Sequence, residues 1–163
     1  MAEDRLATLV RDAALLLSSN RSLIDVFDDA SALLGAHLDA SIVLIFLLRD
    51  GELRCEYASL AGKSGVPDHL VAVRAESTVA RVYRTGEPVR YTSESDWTSQ
   101  RLVSVGGFAR RPQSALFVPI VVNDATIGVL SVQSTTKDAY RAGELQSLQR
   151  FAFFVGKAVE ARA

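Results

Sequence analysis

The chain has 163 residues, 48% of them hydrophobic, and a formal net charge of −1. This length predicts a single domain, and the hydrophobic fraction is sufficient for a core and too high for a disordered chain. A charge so close to zero gives no general attraction to DNA or to an anionic membrane, so nucleic acid is not expected as a partner.

The longest apolar run covers residues 42–48, well short of the roughly 20 residues that span a bilayer. The N-terminal residues "MAED" are acidic where a signal peptide would be basic. A single cysteine, Cys55, excludes an internal disulfide, and the two histidines add no spaced metal set. These features predict a cytoplasmic domain without a membrane segment in this chain.

Helical periodicity predicts two helices at the start of the chain. Apolar residues recur at helical spacing over residues 3–18, and the polar residues 18–20 interrupt the pattern. Ser22 is a candidate N-cap for a second helix, and Gly35 is its expected C-terminal stop.

A β-hairpin is predicted next, in "SIVLIFLLRDGELRCEYASL". The pair Asp50-Gly51 between β-rich runs favours a two-residue turn. In the second strand, simple alternation predicts that Leu53, Cys55 and Tyr57 point to the same face. The following "AGKSGVPDH" is a loop by composition.

The middle of the chain is less regular. "STVARVYRTGEPVRY" predicts a short helix that starts near Ser77 and stops at Gly86, followed by a short strand over residues 89–92. Residues 93–113 are polar, mixed and weakly periodic. Because so long an irregular stretch is uncommon in a compact domain, it is a candidate functional segment.

The last third predicts two strands and a helix. "SALFVPIVV" and "ATIGVLSVQS" are strands joined by Asn123-Asp124, and Pro119 should sit at an edge or a bulge. Residues 142–162 have the apolar stripe of a long helix. Strands joined mostly by hairpins, with helices packed on them, predict an α+β domain with an antiparallel sheet.

Three segments in this order resemble the GAF domain family: "RVYRTGEPV", "SALFVPIVVNDATIGVLSV" and "AYRAGELQSLQRFAFFVGKAV". The resemblance covers residues 21–160, within a single domain spanning 1–163 whose residues 1–20 form a further signalling helix. It implies a central antiparallel sheet of five or six strands with long N- and C-terminal helices on one face. A small-molecule pocket would lie on the other face, closed by the short helix and loops.

The resemblance also implies a sensory role, with a kinase, cyclase or transcription output domain in a longer parent protein. The chain departs from several ligand-binding branches of the family. The cyclic-nucleotide signature is only echoed, by Lys137, Tyr140 and Glu144. Cys55 lies in a strand, which argues against covalent bilin, and one thiol cannot complete the relay of the branch that reduces methionine sulfoxide. The sequence identifies no cofactor, and haem remains a less favoured alternative.

No nucleophile–base pair, paired acids or phosphate-cradling glycine loop is apparent, so the sequence predicts a non-enzymatic sensor domain. The unidentified small ligand would contact residues that border the pocket, and the alternative is that these residues only cover the sheet. The candidate ligand-binding residues are Tyr57, His69, Val79, Tyr91, Trp97, Arg101 and Phe108.

The last helix carries more apolar surface than one sheet face needs. Phe151, Phe153 and Phe154 span about 200° of its circumference and cannot all face inward. We therefore predict a homodimer through the terminal helices, and a domain used only for dimerisation is the alternative function. The candidate interface residues are Leu9, Leu16, Phe151, Phe154 and Ala158.

Overall fold

The computed structural model describes residues 8, 11–14, 22–60, 63–65, 70–93, 95–96 and 112–162. Within these ranges lie helices α1 (Leu23–His37), α2 (Thr78–Thr85) and α3 (Ala142–Ala161). The strands are β1 (Ile42–Arg49), β2 (Glu52–Leu60), β3 (Lys63–Gly65), β4 (Leu70–Ala72), β5 (Val89–Tyr91), β6 (Ser114–Val122) and β7 (Ala125–Ser134).

The strands form one antiparallel sheet in the order β3-β2-β1-β7-β6-β5, and β4 also pairs with β2. The predicted α+β class with a central antiparallel sheet is confirmed. The short strand β3 lies within "AGKSGVPDH", where composition predicted a loop, and a second short strand, β4, follows that stretch. They form because β2 is an otherwise uncovered edge that both segments can pair with.

The predicted turns and caps are largely confirmed. Asp50 and Gly51 have φ of 52° and 81°, and Asn123 and Asp124 have φ of 50° and 65°. Positive φ at both central residues is the requirement of the type I′ hairpin turn, which matches the twist of the strands. Gly86 ends α2 in the left-handed conformation, as its position predicted.

Helix α1 begins as predicted and ends later than predicted. The Ser22 hydroxyl accepts from the Asp25 backbone N–H, which is the expected N-cap bond. Gly35 does not stop the helix, which continues to His37, where the Leu38 N–H still donates to the Leu34 carbonyl at 2.7 Å. Of the first predicted helix, residues 8 and 11–14 are helical and the remainder lies outside the described residues.

The two faces of the sheet carry separate cores. The long-helix face packs against α1 and α3, and its buried residues include Phe27, Leu34, Val43, Ile45, Leu130, Val132, Phe151 and Val155. The α2 face packs against α2, and its buried residues include Ile42, Leu44, Phe46, Leu53, Cys55, Val79, Val82, Tyr91, Ala115, Phe117 and Val129.

A β-bulge in β2 breaks the predicted alternation. Ile45 pairs with Tyr57 and Phe46 pairs with Cys55, so Glu56 is an extra residue on β2. The extra residue moves Tyr57 to the long-helix face, while Cys55 stays on the α2 face. The prediction that Cys55 and Tyr57 point the same way is therefore wrong.

Helix α3 lies very close to β6. A Cβ at Gly156 would stand 3.0 Å from Val122 Cγ2 and 3.2 Å from the Val121 carbonyl oxygen. Only glycine lets the helix axis approach the strand this closely, and the approach brings the apolar stripe of α3 onto the sheet.

Candidate functional site

The α2 face contains buried polar side chains among apolar neighbours, and they lie toward one end of the sheet. In register across three strands, Tyr91 pairs with Ala115, and Ala115 pairs with Gln133. The neighbouring row pairs Phe117 with Ser131. Because directly paired residues of an antiparallel sheet share a face, Gln133 and Ser131 both face the α2 side.

Ser131 and Gln133 are buried on the central strand β7, with 0% and 4% of their surface exposed. The Gln133 Nε2 donates to Ser131 Oγ at 3.0 Å. Among the described residues, this is the one hydrogen bond that the Gln133 side chain makes. A primary amide has two N–H groups and an oxygen with two lone pairs, so most of its capacity is unused.

The first turn of α2 contacts the row of Tyr91, Ala115 and Gln133 at Tyr91. The Ser77 hydroxyl caps the helix by accepting from the Ala80 N–H at 3.3 Å. The next residue, Thr78, shares a 2.9 Å hydrogen bond with the Tyr91 hydroxyl, to which the half-buried Arg81 donates from Nη2 at 3.3 Å. The phenol is thereby held between a hydroxyl and a guanidinium at the rim of the α2 face.

Arg84, in the last turn of α2, holds the residues that precede the helix. Arg84 Nη1 donates to the carbonyl oxygens of Val73 at 2.9 Å and of Ala75 at 2.6 Å. The residues that lead into α2 are thus bound to its last turn, so the helix and its entrance form one rigid unit.

Cys55 belongs to the apolar part of the same face. It is fully buried, and its Sγ donates to the Tyr57 carbonyl oxygen at 3.4 Å. Burial raises the pKa of the thiol to about 12, since desolvation penalises the thiolate. A thiol held protonated in an apolar layer is a poor nucleophile.

The ends of the irregular segment 93–113 are anchored by one hydrogen-bonded junction. Thr92 O accepts from the Asp138 N–H at 2.8 Å and from Ser114 Oγ at 3.2 Å. Ser114 Oγ lies 2.6 Å from the Thr136 carbonyl oxygen and accepts from the Ala139 N–H. The junction therefore joins both ends of this segment to the connection between β7 and α3.

The Asp96 carboxylate adds hydrogen bonds at the N-terminal end of this segment. Asp96 Oδ2 accepts from the backbone N–H of Thr92 at 2.8 Å and from that of Ser93 at 3.3 Å. The hydrogen bonds from Thr92, chiefly the one from its backbone N–H, stabilise the ionised carboxylate and so lower the pKa of Asp96.

The structure brings together two of the predicted ligand-binding residues, Val79 and Tyr91, on the α2 face. The prediction for Tyr57 is wrong, because Tyr57 lies on the long-helix face. There its hydroxyl donates to Asp28 Oδ1 at 2.9 Å. The remaining candidates, His69, Trp97, Arg101 and Phe108, lie outside the described residues.

Sequence reasoning missed Thr78, Arg81, Ser131 and Gln133. For the last two a signal was present: in "SVQS" a polar residue alternates with valine inside a strand that is otherwise apolar. Such alternation at the centre of a sheet marks a polar patch on one face. Thr78 and Arg81 had no comparable signal, because their role depends on where Tyr91 lies.

The predicted dimer-interface residues differ in where they lie. Phe151 and Ala158 are 0% exposed and belong to the core of the long-helix face, so the interface prediction is wrong for both. Phe154 is half-buried, and its ring meets that of Phe153, which is 50% exposed, at 5.5 Å between centroids. Leu9 and Leu16 lie outside the described residues.

Within the described residues, no group of three or more His, Cys, Asp or Glu side chains is placed to hold a metal ion. The described helices include none with the length and apolarity required to cross a membrane.

One antiparallel sheet with long helices on one face and a short capped helix on the other defines a particular class of α+β domain. The chain belongs to the GAF domain family, whose model matches residues 22–159. The resemblance inferred from the sequence is confirmed. Members of this family are commonly sensory or regulatory and commonly sit in larger signalling proteins.

Solved structures agree on the fold. The GAF domain of a phosphoenolpyruvate-protein phosphotransferase from Acinetobacter matches with a TM-score of 0.77 and 19% identity, covering 98% of this chain and 93% of that one. A protein described as a GAF sensor from Burkholderia vietnamiensis matches with a TM-score of 0.80 and 17% identity, covering 100% and 99%. A search of curated proteins found no match.

A third similar structure corrects one prediction. It is the free methionine-R-sulfoxide reductase from Neisseria meningitidis in complex with its substrate, with a TM-score of 0.77 and 13% identity, covering 96% of this chain and 88% of that one. Because this fold also carries an enzyme, the prediction of a non-enzymatic domain is wrong, and enzymatic activity is possible for the chain.

Proposed function

We propose that this chain is a regulatory GAF domain that binds a small molecule on the α2 face and transmits its presence to a neighbouring output domain through α3. The observation that carries the proposal is the buried pair Ser131 and Gln133 at the centre of an apolar sheet face. The Gln133 amide donates to Ser131 and keeps a second N–H and a carbonyl oxygen that a ligand could pair with.

The shape of the α2 face supports the same proposal. Ligand sites are mostly apolar surfaces with a few fixed polar groups. Here Tyr91 is held by Thr78 and Arg81 at one side of the row, and Gln133 stands about 10 Å away, two strand spacings across Ala115. The two polar groups could engage opposite edges of one small molecule.

The junction of Thr92, Ser114 and Asp138 offers a route for the signal. It joins both ends of the irregular segment to the connection that enters α3. Tyr140 in the same connection donates to the Asp39 carbonyl, which ties it to the start of β1. A ligand that stabilises one arrangement of the segment would bias this connection, as differential binding to two states requires.

Native mass spectrometry of the freshly purified full chain tests the proposal, with two matched variants. Tyr91→Phe removes a hydroxyl on the α2 face, whereas Tyr57→Phe removes one on the long-helix face. We expect a bound small molecule in the wild type and in Tyr57→Phe, and a reduced occupancy in Tyr91→Phe. A wild-type chain without bound mass, whose melting temperature shifts with no nucleotide, amino acid or oxo acid, would overturn the proposal.

We further propose that the domain is a cytoplasmic homodimer, with residues 1–20 as an additional signalling helix. Phe153 is half-exposed on α3, and Lys157 Nζ lies 5.6 Å from the centre of its ring. Phe153→Glu should convert the dimer to a monomer in light scattering. A wild-type monomer at high micromolar concentration would contradict this assembly, and a dimer without ligand would favour a purely dimerising domain.

A further inference from the structure

We propose that Gln133 and Ser131 form a subsite for a neutral amide edge, so that the ligand is a flat molecule carrying a lactam or a primary carboxamide. This inference rests on the proposed function, since it names the chemistry of the molecule that the α2 face binds. It makes Gln133 the residue that determines specificity.

The geometry of the pair leaves a donor and an acceptor available. Gln133 uses one N–H to reach Ser131 Oγ at 3.0 Å, and its second N–H and its carbonyl oxygen make no hydrogen bond with the described residues. A side-chain amide presents these two groups in one plane. The complementary ligand edge has an N–H next to a C=O, as a lactam or a carboxamide does.

The surroundings of Gln133 favour an uncharged ligand edge. Its partners across the sheet are Ala115 and Ile42, and those of Ser131 are Phe117 and Leu44. None of these four side chains ionises. These four partners therefore supply no counter-charge to a carboxylate or phosphate, and burying such a group against them is strongly unfavourable.

Two ionisable side chains in the described part of the α2 face, Arg81 and Cys55, supply no free charge to this subsite. Arg81 donates to the Tyr91 hydroxyl at the far side of the row. On the same face, burial raises the pKa of the Cys55 thiol to about 12, which keeps it neutral at ordinary pH. Neither residue supplies a charge for an anion at Gln133.

Two aromatic rings favour a flat molecule. Tyr91 and Phe117 lie edge to face on the same side of the sheet, with ring centroids 5.9 Å apart. Aromatic faces bind planar groups well, because they bury area without losing many rotamers. Phe117 pairs directly with Ser131, so the rings border the subsite.

The test uses two matched pairs of probes on the full chain, at millimolar concentration. Hypoxanthine carries a lactam that purine lacks, and nicotinamide carries a carboxamide that nicotinate replaces with a carboxylate. We expect hypoxanthine or nicotinamide to bind at least tenfold more tightly than its partner compound, because a polar site left unpaired discriminates strongly. The two pairs distinguish a lactam from a carboxamide.

The readout is the side-chain NH₂ signal of Gln133 in a ¹⁵N–¹H NMR spectrum, assigned by its loss in Gln133→Met. The signal should shift with hypoxanthine or nicotinamide and remain unchanged with purine and nicotinate. Gln133→Met deprives the buried Ser131 hydroxyl of its donor and should lower the melting temperature modestly, and it should lose the preference between the paired probes. Should it fail to fold, Ser131→Ala replaces it and should weaken the preference, while Tyr57→Phe serves as the control.

Three outcomes would overturn the inference: purine binding as tightly as hypoxanthine together with nicotinate matching nicotinamide, a variant at Gln133 that keeps the wild-type preference, or no binding of any probe. The failure of the proposed function is separate. If native mass spectrometry finds an anion or a molecule without an amide, lost in Tyr91→Phe, the proposed function stands and the amide subsite is wrong.

Discussion

The two faces of the sheet differ in how they treat polar groups. On the long-helix face the Tyr57 hydroxyl reaches Asp28, and Ser114 is bonded to backbone groups on two other segments. On the α2 face Gln133 is buried with one side-chain partner in the described residues. The Tyr57 and Ser114 side chains are thus paired within the protein, whereas the Gln133 amide keeps hydrogen-bonding capacity for a further molecule.

With the proposed ligand site, this difference would separate stability from binding in the same sheet. Substitutions on the long-helix face should mainly change the free energy of unfolding, because α1, α3 and the strands are packed directly against each other there. Substitutions of the polar pair on the α2 face should mainly change binding.

The largest expected effect is on the long-helix face. Phe151→Ala should lower the free energy of unfolding by about 3–5 kcal/mol, since it opens a cavity in a fully buried site. Phe153→Ala, two residues away and half-exposed, should change it by about 0.5 kcal/mol or less. Urea unfolding of the two variants at low protein concentration measures both, and equal losses would contradict the assignment of faces.

The second effect concerns Cys55 on the α2 face. With a pKa of about 12, the folded thiol holds roughly 10³-fold less thiolate than an ordinary thiol at pH 8, so Ellman's reagent should label it only after unfolding. The unfolded thiol releases its proton near pH 9 and the folded one near 12. Stability from this group is therefore complete below about pH 9 and lost as pH rises toward 12. Equally fast labelling in buffer and in urea would contradict the burial.

The smallest effect compares two helical glycines. Gly35→Ala in α1 meets nothing within 4 Å and should raise the free energy of unfolding by up to about 1 kcal/mol through helix propensity. Gly156→Ala in α3 would place a methyl group 3.0 Å from Val122 Cγ2. The crowding should lower the free energy of unfolding by about 1–3 kcal/mol, which opposes the gain in helix propensity. Thermal unfolding ranks the two, and the same stabilisation in both would mean that α3 can move away from β6.

Local chemistry made most of the fold predictable. The turns at Asp50-Gly51 and Asn123-Asp124, the caps at Ser22, Ser77 and Gly86, and the long helix α3 all follow from short-range rules. Pro119 also follows its rule: β5 reaches only Ala115–Phe117, so β6 has no β5 partner at Pro119, and the register shifts just beyond it.

The candidate site was less predictable because it depends on contacts between distant residues. No local pattern shows that Thr78 and Tyr91 share a hydrogen bond, or that Gln133 pairs across the sheet with Ala115. Tyr57 was misplaced because "ELRCEY" alternates without a break, so the extra residue at Glu56 leaves no signal in the sequence. The stop at Gly35 failed since glycine only permits a helix end, and the packing of Leu34 and Leu38 extends α1 past it.

The bulge at Glu56 also affects how this chain is compared with its relatives. One additional residue in β2 exchanges the faces of every residue that follows in that strand, while Glu56 itself reaches outward to Arg49 at 2.7 Å. A relative without the bulge, aligned position by position, would assign ligand contacts to residues that here support α1. Insertion or loss of a single codon at this point would be enough to move the following side chains of β2 to the opposite face of the sheet.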